Sequence, residues 1–497
     1  MHRRRFRLWL SAVYLGSSSF MVGTVRAQEV ALSFDAADRR LRETSASLEA
    51  ADHSVTAARE TRASVKTLRR PVVNISAQYI EYQKSLSLDL TATKQAAATS
   101  AQDLIDGLPG SVPAPYQEVA AEIGNRLSQA LPGLLAAIPD TLSYRYRDDV
   151  FRPTISVGMP LYTGGAVGAI QRGASAGVSL ASAQSAQARD LARINLIRVY
   201  FGQLTAQSLE AAALETRDAL AKLYSDAQRM EEAGLTPHSA TLEAQVASDA
   251  AERVYQRASL AYRSAQDELA RLLEVEAARP TTPLFVVSQA LPPAASFLGG
   301  EDAVPQSRQA DAARDIARAG VDLARSRFRP QAYAFGEYNL NRNGALPTEP
   351  DWVVGVGGRF TLFSNVGRGH ALASAKAREM AAAANAREAR KNAAIATLQA
   401  WDLVEAARRS FLLLDSGISA AKENLRSQQL SFREGEATIA AVLRAQSALE
   451  AAKSQRIAAA YEYDLALAGL LAASGQLDTF SDYLARADFR VAPETQP

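Results

Sequence analysis

The chain contains two copies of one sequence pattern at a constant separation. Leu161 and Leu362 are 201 residues apart. The same offset continues through Leu269 without a gap, and glycines, aromatic residues and an Ala-Gln pair all keep the register. It pairs Gly168 with Gly369, Gly234 with Gly435, Leu242 with Leu443, Ala244-Gln245 with Ala445-Gln446, and Tyr262 with Tyr463. Chance similarity between alanine-rich helices does not keep such a register, so a duplicated architecture is predicted.

Each copy has the same order of parts: a helix, an Arg-Pro pair, two strand-like runs, a long helix without proline, a glycine and a returning helix. Proline stops a helix and favours extended chain, whereas glycine often ends a helix at its C-terminus. Each long helix would reach roughly 100 Å at 1.5 Å per residue. In copy one, the first helix is 34–69, the pair is Arg70-Pro71, the long helix is 168–232, the glycine is Gly234 and the returning helix is 239–273. In copy two, the same parts are 310–327, Arg329-Pro330, 369–434, Gly435 and 439–471.

The strand-like runs alternate apolar and polar residues, which gives each strand one apolar and one polar face. The alternation is clear from Val73 to Tyr79, and it continues from Trp352 to Leu362 in copy two. Aromatic residues lie near the strand ends, where the girdle of a membrane barrel belongs. Four strands cannot close a barrel, and an open edge in hydrocarbon would leave backbone groups unpaired. Three chains of four strands each would close a twelve-strand barrel.

The N-terminus indicates export. Residues 1–27 combine a basic start, an apolar run and small residues before a cut at Gln28, which is the pattern of a secretory signal peptide. The chain has no cysteine, so neither a disulfide framework nor a thioether lipid anchor is expected. Its 55 Lys+Arg nearly balance 53 Asp+Glu, which argues against a nucleic-acid partner.

Together these features resemble the TolC-like outer-membrane efflux proteins. The resemblance extends from about Phe34 to Leu477, and it depends on the doubled layout, the Arg-Pro pairs, the segment Pro160 to Gly165, and the glycine turns followed by Leu-x-Ala-Gln. It implies an α+β membrane protein: a homotrimer whose twelve-strand β-barrel is continuous with a long periplasmic α-helical barrel. The strand–helix junctions are Pro71, Gly164, Gly165 and Pro330. The predicted segments are the signal peptide 1–27, a first repeat 28–274, an equatorial segment 275–309, a second repeat 310–474, and an equatorial tail 475–497.

The resemblance also places a narrow periplasmic entrance at the two glycine turns. Well-known family members carry two acidic residues there, and the matching positions here are Ala441 and Arg444, with Glu243 equivalent in copy one. Arg444 either pairs with Glu243 as a latch or forms a cationic ring that favours anionic cargo. Alternatively, both are solvated surface charges, whose pairing contributes under ~1 kcal/mol. The turn and adaptor-docking positions are Gly234, Leu242, Ala244, Gln245, Gly435, Leu443, Ala445 and Gln446.

Three weaker signals favour plain structural roles. His238 lies beside the first turn and is interpreted as a solvated residue rather than a pH sensor. The sequence Gly355-x-Gly357-Gly358 lies within a strand with no following lysine, so it is predicted to relieve crowding rather than bind phosphate. Glu405 and Arg409, spaced i,i+4, are expected to support and solvate a helix face.

An insertion over 85–143 separates the two strands of copy one and is assigned to the extracellular side. Val119, Ile123, Leu127 and Leu131 recur at helical spacing between Pro115 and Pro132, which predicts an amphipathic helix. This helix could cap the barrel mouth or fold into its lumen. A mobile surface loop is the alternative, because long loops are often functional or disordered.

The predicted function is a passive outer-membrane exit duct that extends into the periplasm and docks to a periplasmic adaptor and an inner-membrane pump. The pump is of the resistance-nodulation-division or the ABC type, so small-molecule efflux and type I protein secretion both remain open. A periplasmic coiled-coil spacer without a pore is a third interpretation, disfavoured by the alternating strands. No catalytic constellation or nucleotide-binding motif is present, so neither catalysis nor a cofactor is expected.

Overall fold

The computed structural model of the chain describes residues 30–300, 302–341 and 350–492. The predicted signal peptide lies outside these ranges. The chain divides into two compact units. The helical unit comprises residues up to 66, 168–325 and those from 366 onward, and the strand unit comprises 67–167 and 326–365. Each unit therefore takes matching segments from both halves of the sequence.

Long helices and short strands alternate along the chain in the predicted order. The α-helices are α1 (Phe34–Thr44), α2 (Ala46–Lys66), α3 (Thr91–Asp106), α4 (Gln117–Ala136), α5 (Ala166–Glu232), α6 (His238–Leu272), α7 (Pro305–Ser326), α8 (Arg368–Arg433), α9 (Ile439–Ala473) and α10 (Phe480–Arg486). The strands are β1 (Val30–Leu32), β2 (Val72–Asp89), β3 (Thr141–Tyr162), β4 (Ala278–Pro280), β5 (Leu284–Val286), β6 (Gln331–Asn339), β7 (Trp352–Arg359) and β8 (Phe489–Val491).

The two long helices, α5 and α8, have 67 and 66 residues. Their bounds agree with the predicted proline-free stretches to within two residues. The single first helix predicted over 34–69 is wrong, because the chain forms two helices, α1 and α2, separated at Ser45. Ser45 adopts an extended conformation (ψ 109°), and its N–H still donates to Leu41 O. No proline or glycine marks this break in the sequence.

The helical unit has a core centred on aromatic residues, which we call the aromatic core: Phe34, Tyr200, Phe201, Phe285 and Phe480. All five are fully buried, and their ring centroids lie 5.2–6.1 Å apart in the contacting pairs. The Tyr200 hydroxyl donates to Leu32 O at 2.7 Å and accepts from the N–H groups of Thr281 and Thr282. β5 pairs with β8 on this core, which joins residues of the predicted equatorial segment to residues of the tail.

The strand unit contains one antiparallel sheet in the order β2-β3-β6-β7, with β2 and β7 at its edges. One row across the sheet consists of Ile75, Ile155, Tyr338 and Trp352, and the side that carries it is called the Ile75 face. The neighbouring row, Asn74, Ser156, Glu337 and Val353, belongs to the opposite Asn74 face. Ile75 is 74% exposed and Trp352 is 63% exposed. A single chain therefore leaves a row of large apolar residues uncovered.

The glycines of β7 make room for two rings of β6. A Cβ atom at Gly355 would lie 2.9 Å from Phe335 Cζ, and one at Gly357 would lie 2.6 Å from Tyr333 Cζ. Real Cβ atoms do not approach other atoms so closely. The prediction that this glycine-rich segment relieves crowding is confirmed.

β7 is shorter than the alternation predicts. The sequence predicts a strand through Leu362, but β7 ends at Arg359. Arg359 pairs with Gln331, the first residue of β6, and the residue before it is Pro330. Proline has no N–H to donate to a neighbouring strand, so the ladder stops there.

The insertion between β2 and β3 is a helical hairpin carried on extended strands. The strands continue to Asp89 and resume at Thr141, so the insertion is shorter than the predicted 85–143. Gly124 of α4 approaches α3 closely, with its ideal Cβ position 3.4 Å from Ile105 O. The predicted amphipathic helix is α4, but it continues through Pro132 to Ala136. Leu131 and Leu135, which flank Pro132, are half-buried, whereas Gly133 and Leu134 between them are exposed.

Candidate entrance at the helix turns

The α5–α6 turn is fixed by backbone hydrogen bonds around Gly234. Leu235 N donates to Met230 O at 2.8 Å, and Gly234 N donates to Glu231 O at 2.9 Å. This bond pair is the Schellman motif, which requires a left-handed residue and favours glycine. Gly234 has φ +72° accordingly.

The α8–α9 turn repeats the same geometry 201 residues later. Glu436 N donates to Ser431 O at 2.8 Å, Gly435 N donates to Phe432 O at 3.1 Å, and Gly435 has φ +79°. The residue that precedes the returning helix is extended in both turns, with ψ 153° at Pro237 and 154° at Thr438. The two turns therefore share one backbone structure despite different side chains.

The helix ends behind these turns meet in a second core, which we call the turn cluster. It draws residues from all four helices and consists of Ala227, Ala240, Ala244, Leu425, Phe432, Ile439, Val442, Ala445 and Leu449. Alanine predominates on α5 and α6, which allows close helix approach, whereas α8 and α9 supply the larger side chains. The turn cluster thus packs the two hairpins of one chain against each other.

The three predicted gate residues lie on the surface of a single chain. Glu243 and Arg444 are exposed, and Ala441 is half-buried. Among the described residues, no ion pair joins Glu243 to Arg444. A latch between these two side chains would therefore have to form between different chains.

The predicted docking residues divide into exposed and buried groups. Leu242 is 47% exposed and Gln245 is exposed, whereas Ala244 and Ala445 belong to the turn cluster. Gln446 is buried, although its counterpart Gln245 is not. Leu443 is half-buried. The two copies therefore present different surfaces from the same Leu-x-Ala-Gln pattern.

Sequence reasoning missed a hydrogen bond beside the first turn. His238 Nδ1 lies 2.8 Å from Glu231 Oε1, and both residues flank Gly234. Hydrogen bonds from the Thr241 hydroxyl and then from the His238 ring lower the pKa of Glu231. His238 is exposed, as predicted, but it is also tied to the end of α5. Copy two has Ile439 at the position of His238, so the pair exists in one turn only.

The predicted junction at Gly164 and Gly165 contacts the segment before Pro330 within the strand unit. Gly164 has φ +63°, and a Cβ atom there would lie 2.7 Å from Ser326 O. Arg329 Nη1 donates to Gly164 O at 3.4 Å, so the Arg-Pro pair of copy two contacts the glycine pair of copy one. Gly165 follows with φ +98°. Pro71 and Pro330 each stand directly before a strand, β2 and β6 respectively.

The described ranges contain neither a membrane-spanning helix nor a metal-binding cluster. None of the helices there is both long enough and apolar enough to cross a membrane. Across the same residues, no three His, Cys, Asp or Glu side chains gather where they could hold a metal ion. The absence of a cofactor stays a prediction from sequence.

Several solved outer-membrane channels share the fold of this chain. The outer membrane protein VceC from Vibrio cholerae has a TM-score of 0.67 at 15% identity, covering 89% of this chain and 96% of that one. The CmeC outer membrane channel from Campylobacter jejuni has a TM-score of 0.67 at 13% identity, covering 92% and 90%. The open state of the MtrE outer membrane channel from Neisseria gonorrhoeae has a TM-score of 0.64 at 17% identity, covering 89% of each chain. The chain therefore has the fold of these channels.

The sequence itself establishes the family. The model of the outer membrane efflux protein family matches residues 124–274 and 304–476, which is more than half of the chain. The protein belongs to this family, and the resemblance seen in the sequence is confirmed. It is an outer-membrane efflux channel, located in the outer membrane and extending into the periplasm. The family is one of channels, not of enzymes. None of the curated proteins matches the sequence significantly.

Proposed function

We propose that three copies of this chain form a passive exit duct in a tripartite system with a periplasmic adaptor and an inner-membrane pump. Each chain contributes four strands to a twelve-strand barrel and its long helices to a periplasmic helical barrel. Each repeat, 28–274 and 310–474, supplies two strands and one helix pair. Segments 275–309 and 475–497 form an equatorial belt. Energy comes from the pump, because the duct performs no chemistry.

The Ile75 face of the sheet carries this proposal. From Phe151 to Leu161, every second residue of β3 is apolar and the residues between are mostly polar or small. Ten residue steps rise about 34 Å along a strand. Tilted by about 40°, they span about 26 Å, close to the apolar band of about 25 Å in outer-membrane barrels. A periplasmic spacer would have no use for this face.

The two edge strands, β2 and β7, require further strands to pair with. β2 and β7 each present backbone groups on their outer sides, and unpaired groups are costly in hydrocarbon. Closure by further copies pairs β2 of one chain with β7 of the next and removes every edge. This is why three four-stranded sheets, rather than one, are proposed for the pore.

The glycine turns are proposed as the periplasmic entrance and the adaptor contact. Leu242 and Gln245 are exposed beside the first turn and are available to a partner, whereas Ala244, Ala445 and Gln446 support the turns from within. Three copies of Arg444 would bring three guanidinium groups around the pore axis, and rings of charge set ion selectivity. Such a ring would favour anionic cargo.

Cross-linking in the native membrane tests the proposal and identifies the pump. The protein should leave the membrane only in detergent, should migrate as a trimer, and should retain an adaptor by mass spectrometry. Recovery of a resistance-nodulation-division pump would assign small-molecule efflux, and recovery of an ABC transporter would assign protein or peptide secretion. Release by carbonate without detergent would overturn the duct.

A further inference from the structure

The apolar side of the β2–β3 hairpin changes partway along its length. Up to Tyr79 and Phe151 the apolar residues lie on the Ile75 face. Beyond that pair, the same face is polar and charged. Its residues there are Glu81, Gln83, Ser85, Ser87, Ser143, Arg145, Arg147 and Asp149. Arg147 Nε lies 3.6 Å from Glu81 Oε1, and both side chains are well exposed.

The Asn74 face changes in the opposite sense. Near the start of β2 it carries Asn74, Ser76 and Gln78, and toward the tip of the hairpin it carries large apolar side chains. These are Ile80, Tyr82, Leu86, Leu88, Leu142, Tyr144, Tyr146 and Val150, and the only charged positions in this part of the face are Lys84 and Asp148, which have opposite signs. Leu86 is 60% exposed and its cross-strand partner Tyr144 is 62% exposed. The register from Val72 to Asp89 contains no bulge, so no slip of one residue explains the change.

Helix α4, which stands on the same hairpin, has an uncovered apolar stripe. Val119, Ile123, Leu127 and Leu134 lie within one 80° sector of the helix, by the 100° advance per residue, and all are exposed. Gly124, Leu131 and Leu135 lie in an adjacent sector, which packs toward α3. The hydrogen bond from Gln102 Nε2 to Ser128 Oγ, at 3.0 Å, joins the two helices. The exposed stripe is therefore not needed for packing within the hairpin.

The exchange of apolar and polar residues between the two faces indicates what surrounds each part of the hairpin. In the proposed barrel the Ile75 face meets lipid and the Asn74 face meets the aqueous lumen. Beyond Tyr79 the Ile75 face is suited to water, and the Asn74 face continues directly from the lumen wall. Exposure of apolar surface to water on that side is unfavourable. It therefore requires a protein partner around the pore axis.

We infer that the hairpin extensions of three chains (residues 80–89 and 141–150, with α3 and α4) pack against each other around the axis and close the outer end of the duct. The occupant of the apolar Asn74 face is the same face of the other two copies, because threefold closure of the sheets brings these faces together. This inference rests on the proposed trimer. It adds a second constriction to the duct, distinct from the proposed periplasmic entrance.

Single cysteines test the contact against a clean background, because the chain has no cysteine. Leu88→Cys lies on the Asn74 face and Ser87→Cys lies next to it on the Ile75 face. Treatment of whole cells with a short bis-maleimide should cross-link Leu88→Cys between protomers and leave Ser87→Cys monomeric on denaturing gels. Absence of cross-linking in Leu88→Cys, or equal cross-linking in both variants, would overturn the closure. Native mass measurement of the untreated protein separates the two proposals, since a trimer without this cross-link rejects only the closure.

Planar-bilayer conductance tests the functional consequence with a matched pair of double variants. Leu88→Asp with Leu142→Asp places two carboxylates opposite each other on the Asn74 face, and Ser87→Asp with Ser143→Asp does the same on the Ile75 face. Like charges repel within the closed bundle, so the first variant should show higher single-channel conductance than the parent. The second should match the parent. If the two double variants conduct equally, the extensions do not restrict the exit.

Discussion

The aromatic core and the turn cluster hold together parts of the same helical unit, but they are built differently. The aromatic core combines five large rings with buried polar groups that are hydrogen-bonded, such as Tyr200. The turn cluster combines alanines, mostly from α5 and α6, with larger aliphatic side chains and a single ring, Phe432, from α8 and α9. Deep burial of large rings concentrates stability in the first region. The turn cluster has fewer large rings, and side chains on its surface, such as Leu242 and Arg444, are exposed to solvent.

A large-to-small substitution should lower the free energy of unfolding more in the aromatic core than in the turn cluster. Phe201 is fully buried and contacts Phe34, Tyr200 and Phe285. Phe201→Ala should destabilise the protein by about 3–5 kcal/mol through lost contacts and a cavity. Val442→Ala in the turn cluster should cost about 1.6 kcal/mol from transfer alone. Thermal unfolding in detergent, followed by circular dichroism, compares them, and equal shifts in the midpoint would remove the contrast.

A buried carboxyl makes the helical unit sensitive to pH. Asp464 of α9 is fully buried, and burial raises its pKa well above the usual value. The folded state therefore keeps a proton that the unfolded state loses above about pH 4. Stability should fall as pH rises through that window, by about 1.4 kcal/mol per pH unit up to the folded-state pKa. Asp464→Asn should flatten this dependence and raise stability at pH 8. Parallel pH profiles for parent and variant would contradict it.

The turn glycines should respond differently from a glycine inside a helix. Gly435 has φ +79°, and alanine in this left-handed region costs about 1–2 kcal/mol. Gly417 lies within α8, with nothing near its ideal Cβ position, so Gly417→Ala should stabilise by about 0.5–1 kcal/mol. Unfolding midpoints of the two alanine variants should therefore move in opposite directions. A shared direction would show that the turn geometry does not depend on glycine.

Arg444 should change transport without changing stability. It is exposed, so Arg444→Ser should alter the free energy of unfolding by less than about 0.5 kcal/mol. Loss of three guanidinium groups from the proposed ring should reduce anion preference in planar bilayers. Arg426→Ser removes the same charge from α8, where Arg426 pairs with Glu423 at 2.7 Å, and serves as the control. Unchanged selectivity in Arg444→Ser would identify Arg444 as a solvated surface charge.

Much of the fold could be predicted because its signals are local or periodic. The constant offset located both long helices and both glycine turns, and the period of two identified the Ile75 face. Features that depend on tertiary contacts were missed. Glu405 does pair with Arg409, at 3.5 Å, as its i,i+4 spacing predicts. However, Glu405 is buried rather than on a solvated face, and it also pairs with Arg408 at 2.8 Å and accepts from Leu291 N at 3.1 Å. Its hydrogen bond with Arg408 lowers its pKa.

At the candidate entrance, too, the sequence predicted the positions of the turns but not the burial of their side chains. The glycines and the Leu-x-Ala-Gln pattern fixed where the turns lie, because a left-handed helix end has a strong sequence signature. The pattern could not show that Gln446 is buried while Gln245 is exposed, since that depends on four helices meeting in the turn cluster. Nor did it indicate the pairing of His238 with Glu231, which spans the turn.

The two edge strands also bear on how the protein matures. A lone chain emerging in the periplasm presents β2 and β7 with open sides and a broad apolar face, which are the features that promote misassociation. If closure needs three chains, the finished sheet is a product of encounter, and its yield depends on protomer concentration. At a low rate of synthesis, single chains would therefore keep these sheet edges open for longer.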